Sequence, residues 1–317
     1  MGRCPAEGGT ERFETRYLTS PLIPLQELER GNTIKNNLFM AVKLYKPTSA
    51  GRRIHSVTDY SVLRKFKKTP KGLIVSKARP AGRNNSGKIT VRHQGGGAKR
   101  KYRIVDFSRS DKKNIPAKVL TIEYDPTRSS FISLISYKDG SKRYMLTAQG
   151  MKVGDKVMYG ETAEILPGNR LALKNIPVGT LIHDIELIPG QGGKIARSAG
   201  GYATLQTLEG GYALLKLPSS EIRKVKEEAL ATVGQLANQD WMNVRIGKAG
   251  RMRNMGWRPT VRGKVMNPVD HPHGGGEGHN PIGMKYPKTP WGKHALGVKT
   301  RLKKKYSNQM IVQRRSK

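Results

Sequence analysis

The stretch MNPVDHPHGGGEGHNP, Met266 to Pro281, gathers three of the chain's seven histidines within nine residues, beside the consecutive glycines Gly274, Gly275 and Gly276. Three chemistries compete for it. A zinc site needs three or four Cys, His or carboxylate ligands held firmly, and its common spacings pair them across a folded knuckle. Here Pro272 separates His271 from His273, His279 follows six residues later, His294 another fifteen, and no cysteine is near. No metal is expected. General-base catalysis by His271 or His273 would need an orienting partner such as Asp270 and a pocket. Sequence neighbours on an extended chain need not face each other, so the Asp270-His271 pair establishes neither. The third reading leads: His, Asn and Gly tolerate tight turns and hydrogen-bond to RNA edges. It makes His271, His273 and Gly274 to Gly276 a backbone segment ordered by RNA.

Two further glycine-rich runs carry the same theme. VRHQGGGAKRKYRIVDF, Val91 to Phe107, sets Arg92, His93, Lys99, Arg100, Lys101 and Arg103 around three glycines. Glycines let a backbone approach a phosphate and expose its N–H groups, and the cations supply charge-assisted hydrogen bonds. The alternative is a solvated hairpin loop, which would gain nothing from so one-sided a charge. The spacing does not match the nucleotide-binding loop GxxxxGK[ST], so nucleotide hydrolysis has no support. GQGGKIARSAGG, Gly190 to Gly201, repeats the idea with Lys194 and Arg197 as its only charges; glycine-rich turns between strands also occur for steric reasons alone.

Around these runs lie the other expected RNA contacts: Arg52, Arg53, Arg83 and Lys88 early in the chain, then Lys248, Arg251, Arg253, Trp257, Arg258 and Arg262 in GKAGRMRNMGWRPTVRG, and Lys303, Lys304, Arg314 and Arg315 near the end. Arginine clamps phosphates bidentately, and Trp257 or Trp291 offers a face on which an unpaired base stacks.

The elements that must position these loops are β-type. KITVRH, YRIVDF, AKVLTIEY, FISLISY and KRYMLT are strand-length runs within about sixty residues, and Asp139-Gly140 is a hairpin turn. They predict a small antiparallel barrel, with the OB-fold the leading case. After Pro167-Gly168 a second series, NRLALKNI, TLIHDIELI, YATLQTL, YALLKLP and EIRKVKEE, predicts a second barrel of SH3-like size. No long amphipathic helix is expected; 240–244 and 219–230 each have room for a helical turn or two. From Gly247 the pattern breaks down. The last 77 residues hold eleven Gly and six Pro, so no third core is expected there and the segment should order only against RNA.

Charge draws the domain boundaries. Residues 1–39 are net zero, 40–81 and 82–162 are each +10, 163–240 are neutral and 241–317 are +16, for +36 overall. The chain divides accordingly into a leader (1–39), a basic N-terminal extension (40–81), an OB-fold RNA-binding domain (82–162), an SH3-like domain (163–240) and a basic Gly/Pro-rich C-terminal extension (241–317). A charge of this size repels itself in a compact protein, and a polyanion neutralises it. The leader reads as an optional appendage or an upstream start, because Met40 opens MAVKLYKPTSAGRR as a start in its own right. One cysteine, Cys4, excludes an internal disulfide framework and fits a reducing compartment. No apolar run approaches the roughly 18–20 residues that cross a bilayer, so a soluble, intracellular protein without membrane partners is expected.

The runs KPTSAGRR, GRNNSGKITVRHQGGGAKRKYRIVDF, EYDPTRS, YKDGSKRYML, GNRLALKNIPVGT, GGKIARSAGGYA, GKAGRMRNMGWRPTVRG and MNPVDHPHGGGEG resemble the bacterial-type L2 family of large-subunit ribosomal proteins, over essentially Met40 to Lys317. The resemblance implies an OB-type barrel followed by an SH3-like barrel, both extensions threading ribosomal RNA. It implies primary binding of large-subunit ribosomal RNA, other ribosomal proteins as neighbours, contact with the small subunit during subunit association, and organisation of the peptidyl-transferase centre in translation. It implies no cofactor and no enzyme activity of its own. At His271 it implies a positioning role near that centre, whose catalyst is RNA. Residues 1–39 and HNPIGMKYPKTPWGKHALG depart from the family pattern, which leaves His279 without an implied role. The implied location is a cytoplasmic ribosome, an organellar one being compatible. Two rivals stand beside this reading. A free RNA chaperone or translational regulator would exchange within minutes among unrelated RNAs. A metal-dependent hydrolase would hold metal and lose activity with His271 and His273.

Overall fold

The computed structural model describes residues 42–61, 63, 69–76, 78–277 and 279–315; the neutral leader and Met40 lie outside them. The described chain is mainly β. Two short antiparallel pairs come first, β1 (Val42–Leu44) with β2 (Ser56–Thr58), and β3 (Ile74–Ser76) with β4 (Lys101–Arg103).

The first large sheet is antiparallel and holds β5 (Ala117–Glu123), β6 (Ile132–Tyr137), β7 (Lys142–Leu146) and β8 (Lys156–Val157) in the order β7-β6-β5-β8. A bulge between Val119 and Thr121 shifts the alternation of β5, so that Val119 and Ile122 are both buried. β6 is covered on both faces. Its odd-numbered Ile135 and Tyr137 join Val119, Phe131, Met145 and Val157 in one core, while Ile132 and Leu134 join Val105, Tyr144, Leu146 and Leu236 in another. Val105 forms a parallel bridge to Tyr144, which curls the chain before β5 against β7. This is the OB-like half. The Asp139-Gly140 turn sits where expected: Gly140 takes φ 82°, and the Asp139 carboxylate accepts from the Ser141 N–H at 3.0 Å.

The second sheet is all antiparallel, in the order β15-β13-β12-β11-β10-β14-β9. Its strands are β9 (Arg170–Ala172), β10 (Leu181–His183), β11 (Ala203–Glu209), β12 (Tyr212–Lys216), β13 (Ile222–Lys226), β14 (Leu230–Val233) and β15 (Ile311–Gln313). Leu171, Ile182, Ile185, Leu205, Leu215, Val225 and Val233 fill its core. After β14 the chain returns to the first sheet: the Ala237 N–H donates to the Thr147 carbonyl at 3.0 Å, and the Gln149 N–H donates to Gln235 at 2.7 Å. One segment thus stitches the two sheets.

Three features differ from the periodicity reading. KITVRH is not a strand; Ile89 and Val91 are exposed, and a single bridge joins Ile89 to Arg83, because no layer lies over that run to bury its apolar face. The 219–230 stretch is chiefly β13, whereas 239–243 does form a 3-10 turn. One helix, α1 (Ala249–Met255), has no apolar stripe to announce it. Its end is set by Gly256 at φ 101°, whose N–H reaches back to the Arg253 carbonyl; a left-handed residue here favours glycine.

Candidate nucleic-acid interface

The two extensions meet each other. The Ser56 N–H donates to the Arg245 carbonyl (3.0 Å), and the Arg245 N–H donates to the Ser56 hydroxyl (2.7 Å). His55 Nδ1 bonds the Ile246 carbonyl (2.9 Å), and the Arg251 guanidinium donates to the Ser56 carbonyl (2.9 Å). The β1–β2 pair is therefore docked on the approach to α1, almost two hundred residues further along the chain. Arg52, Arg53 and Lys248 stay exposed around this junction, and Arg251 is half-buried in it.

The glycine run of VRHQGGGAKRK packs on the far end of α1. The Gly95 N–H donates to the Gly256 carbonyl, the Ala98 N–H to Asn254 (both 2.9 Å) and the Arg258 N–H to the His93 carbonyl (3.0 Å), with an antiparallel bridge between Gln94 and Trp257. A methyl group at Gly97 would lie 2.9 Å from Gly256 Cα and inside the Arg79 guanidinium, and one at Gly96 would lie 2.8 Å from Arg253 Nη2. These glycines admit a close approach within the chain itself. Around them Arg83, Lys88, Arg92, Lys99, Lys101 and Arg258 are exposed; His93, Arg103 and Arg253 are half-buried, as is Arg100, which donates to the Pro126 carbonyl at 2.9 Å. Arg92 stacks on exposed Trp291, 5.8 Å from the ring centre. Arg79 was not among the sequence candidates. Its only signal was the basic excess of residues 40–81.

The loop GQGGKIARSAGG is built on carboxylates. Glu186, fully buried, accepts from the N–H groups of Gly190 (3.0 Å) and Gly192 (3.1 Å) and from Arg170 Nη2 (3.1 Å), while Asp184 pairs with Arg170 Nη1 at 3.0 Å. A backbone nest of the kind that cradles phosphate is here occupied by the chain's own Glu186. Burial pushes Asp184 up, against the pull of Arg170. Beside the pair, His183 is fully buried with Nδ1 2.7 Å from the Gly234 carbonyl; burial, then Arg109 and Arg170, push it down to about 3. Lys194 and Arg197 remain exposed. Lys194 donates to Gln191 (2.8 Å), and Arg197 lies 4.4 Å above the Phe107 ring centre.

The opening stretch forms a turn around a buried histidine. His271 is 8% exposed, and a methyl group at Gly263 would meet three of its ring atoms at 2.5–2.6 Å. The Gly274 N–H donates to the His271 carbonyl (2.8 Å), and the Gly275 N–H donates to Met266 (3.0 Å). His271 Nδ1 accepts from the His273 N–H (3.0 Å), and His273 Nε2 accepts from the Lys288 N–H (2.8 Å). Each ring hydrogen therefore sits on the other nitrogen. Burial, His273 and Arg92 push His271 below the ordinary histidine value. The ring centres are 4.7 Å apart, and among the described residues no group of three or more His, Cys, Asp or Glu is placed to hold a metal. Gly276, Arg262 and His279 are exposed. The segment after His279 reaches this turn through Lys288 and folds into a hairpin tipped by Trp291, where the Thr289 N–H donates to the Lys293 carbonyl at 2.7 Å. Lys303, Lys304, Arg314 and Arg315 are exposed along the segment that ends in β15 and just beyond it.

Charge pairing is concentrated in the first barrel and the start of the second. The eight ion pairs among the described residues all lie between Arg103 and Glu186. No described cation before Arg103 or after Glu186 has a carboxylate partner.

Residues 70–159 match the family described as Ribosomal Proteins L2, RNA binding N-terminal domain, and residues 166–292 match Ribosomal Proteins L2, C-terminal domain. The chain belongs to the ribosomal protein L2 family. The first large sheet falls inside the RNA-binding match. The second, apart from β15, falls inside the C-terminal match, as do α1 and the turn around His271. As an L2-family member the chain is an RNA-binding structural component of the ribosome, associated with ribosomal RNA and other ribosomal proteins, in a cytoplasm or an organelle. No helix among the described residues is long and apolar enough to cross a membrane.

Proposed function

We propose that this L2-family chain is a primary binder of large-subunit ribosomal RNA, and that its two extensions neutralise RNA phosphates on either side of the barrels. The observation that carries this is the confinement of ion pairs to the stretch from Arg103 to Glu186. Among the described residues, the exposed arginines and lysines of the extensions have no carboxylate partner within the chain and need an external polyanion. Subunit association and organisation of the peptidyl-transferase centre belong to the same proposal, with the turn of residues 263–276 as the part that approaches the centre. His271 acts there by holding the turn's shape: its ring is buried under Gly263 and its Nδ1 is already engaged. Arg52, Arg53, Arg83, Lys88 and the cations flanking α1 supply the phosphate contacts.

Crosslinking of the chain to RNA within assembled large subunits, followed by mapping of the crosslinked peptides, tests the proposal. Adducts should concentrate in residues 42–103 and 245–315 and be sparse over 163–240. In solution the logarithm of affinity should fall by about 0.7 per phosphate contact for each unit of log salt on single-stranded RNA. Adducts spread evenly over both barrels, or a chain sedimenting free of subunits at moderate salt, would overturn it.

A further inference from the structure

Beside the glycine run a cleft of about 380 Å³ opens. One wall is the backbone of Gly95, Gly96 and Gly97, and the others are Arg79, Pro80 and Trp257. We infer that this cleft seats one unpaired nucleobase of ribosomal RNA, stacked on Trp257, with its flanking phosphates on Arg79 and Arg258. The inference rests on the RNA-binding reading proposed above and names one contact within it.

The size is at the low end of what small-molecule sites span, roughly 300–1,000 Å³, which suits a single base and excludes a helix. The Trp257 side chain is 49% exposed in the free chain. Its backbone makes the bridge to Gln94 and an N–H bond to the Met252 carbonyl, which fix the point from which the half-exposed indole projects. Gly95, Gly96 and Gly97 contribute only backbone to the lining, with the indole of Trp257 among the lining side chains, and an aromatic base stacks on such an indole. Charge marks the rim: Arg79 lies against Gly97, Arg253 against Gly96 and Arg258 near Gly95, none with a carboxylate partner. Gln94 lines the same cleft, and its side-chain amide makes no hydrogen bond there. It offers a donor and an acceptor to a base edge. Trp291 reaches the neighbouring Arg92 from the insert, so two exposed indoles converge on one loop.

A base with a phosphate could come from folded RNA or from a free nucleotide, and the test separates them. The full chain is titrated with an RNA hairpin carrying one bulged 2-aminopurine, with the same hairpin fully paired, and with adenosine monophosphate. The bulged hairpin should bind roughly tenfold to a hundredfold more tightly than the paired one, the stacking range for one base, with its fluorescence quenched. Trp257→Ala should abolish that preference and the quenching while leaving the salt dependence unchanged, because stacking carries no charge; Trp257→Tyr should restore most of both. Circular dichroism checks that each variant folds. Ultraviolet crosslinking of the wild-type chain to the bulged hairpin supplies a second readout, expected on the peptide of Trp257 or that of residues 94–97. Equal binding of both hairpins with no adduct on either peptide would overturn the nucleobase seat and leave the RNA-binding reading standing. Adenosine monophosphate binding as tightly as the bulged hairpin would overturn it in favour of a free nucleotide. Failure of the wild-type chain to bind either hairpin at low salt would remove the RNA-binding reading itself.

Discussion

Acid should unfold this protein through His183. The imidazole is fully buried on β10 between Arg109 and Arg170, with Nδ1 on the Gly234 carbonyl, and it is pushed from 6.5 down to about 3. A histidine depressed in the folded state contributes stability that is fully present above its unfolded value and is lost as the pH falls towards the folded one. At about pH 5 most unfolded chains hold the proton and almost no folded chain does. At 1.36 kcal/mol per unit, this removes about 2 kcal/mol between about pH 8 and pH 5, and roughly 4–5 kcal/mol by about pH 3. His271 is also depressed and adds to the slope in the same direction. Urea unfolding of the free chain, followed by far-ultraviolet circular dichroism across this range, measures the loss. His183→Leu should be less stable at neutral pH, since the Gly234 carbonyl loses its donor at a cost of about 1–3 kcal/mol, yet flatter in its pH dependence. An unchanged slope in the variant, or a wild-type midpoint that holds steady down to about pH 5, would refute the reasoning.

The remaining expectations test the loops. Glu186→Gln removes the charge that Arg170, Gly190 and Gly192 converge on, and should cost about 3–5 kcal/mol, the loss typical of breaking a buried ion pair; a lower urea midpoint at unchanged slope is the readout. Gly97→Ala places a methyl group 2.9 Å from Gly256 Cα and into Arg79, so amide exchange at Gly95 and Ala98 should accelerate by about tenfold or more, while exchange within β5 and β6 stays slow. Arg251→Ala loses the bond to the Ser56 carbonyl. It should cost about 1 kcal/mol and expose residues 42–58 to limited proteolysis without shifting the unfolding of either large sheet.

Much of the architecture was legible from local pattern. AKVLTIEY, FISLISY and KRYMLT became β5, β6 and β7, and the second series became β9 through β13, because alternation and turn chemistry act between near neighbours. KITVRH failed as a strand for the converse reason: propensity alone does not hold a strand that no other layer covers. The glycine runs were readable as places where something comes close, but their partners were not. Gly190 and Gly192 face Glu186, and Gly97 faces Gly256 and Arg79, contacts that no spacing in the chain encodes. The site followed the same division. Residue type and charge excess singled out the cations of the two extensions as candidates for the proposed RNA contacts. That Arg79 joins them, and that Trp257 lines a cleft with it, depends on the chain bringing residues 79–97 against 253–258.

Composition and short-range order thus decided from the sequence alone that this is a β protein with two barrels and a surplus of positive charge in the extensions and the first barrel. Only the tertiary structure decided which of those charges are satisfied within the chain and which remain open to RNA. The physical reason is range: strand pattern and net charge are sums over neighbours, whereas charge pairing joins residues up to tens of positions apart and the docking of the two extensions joins residues almost two hundred apart.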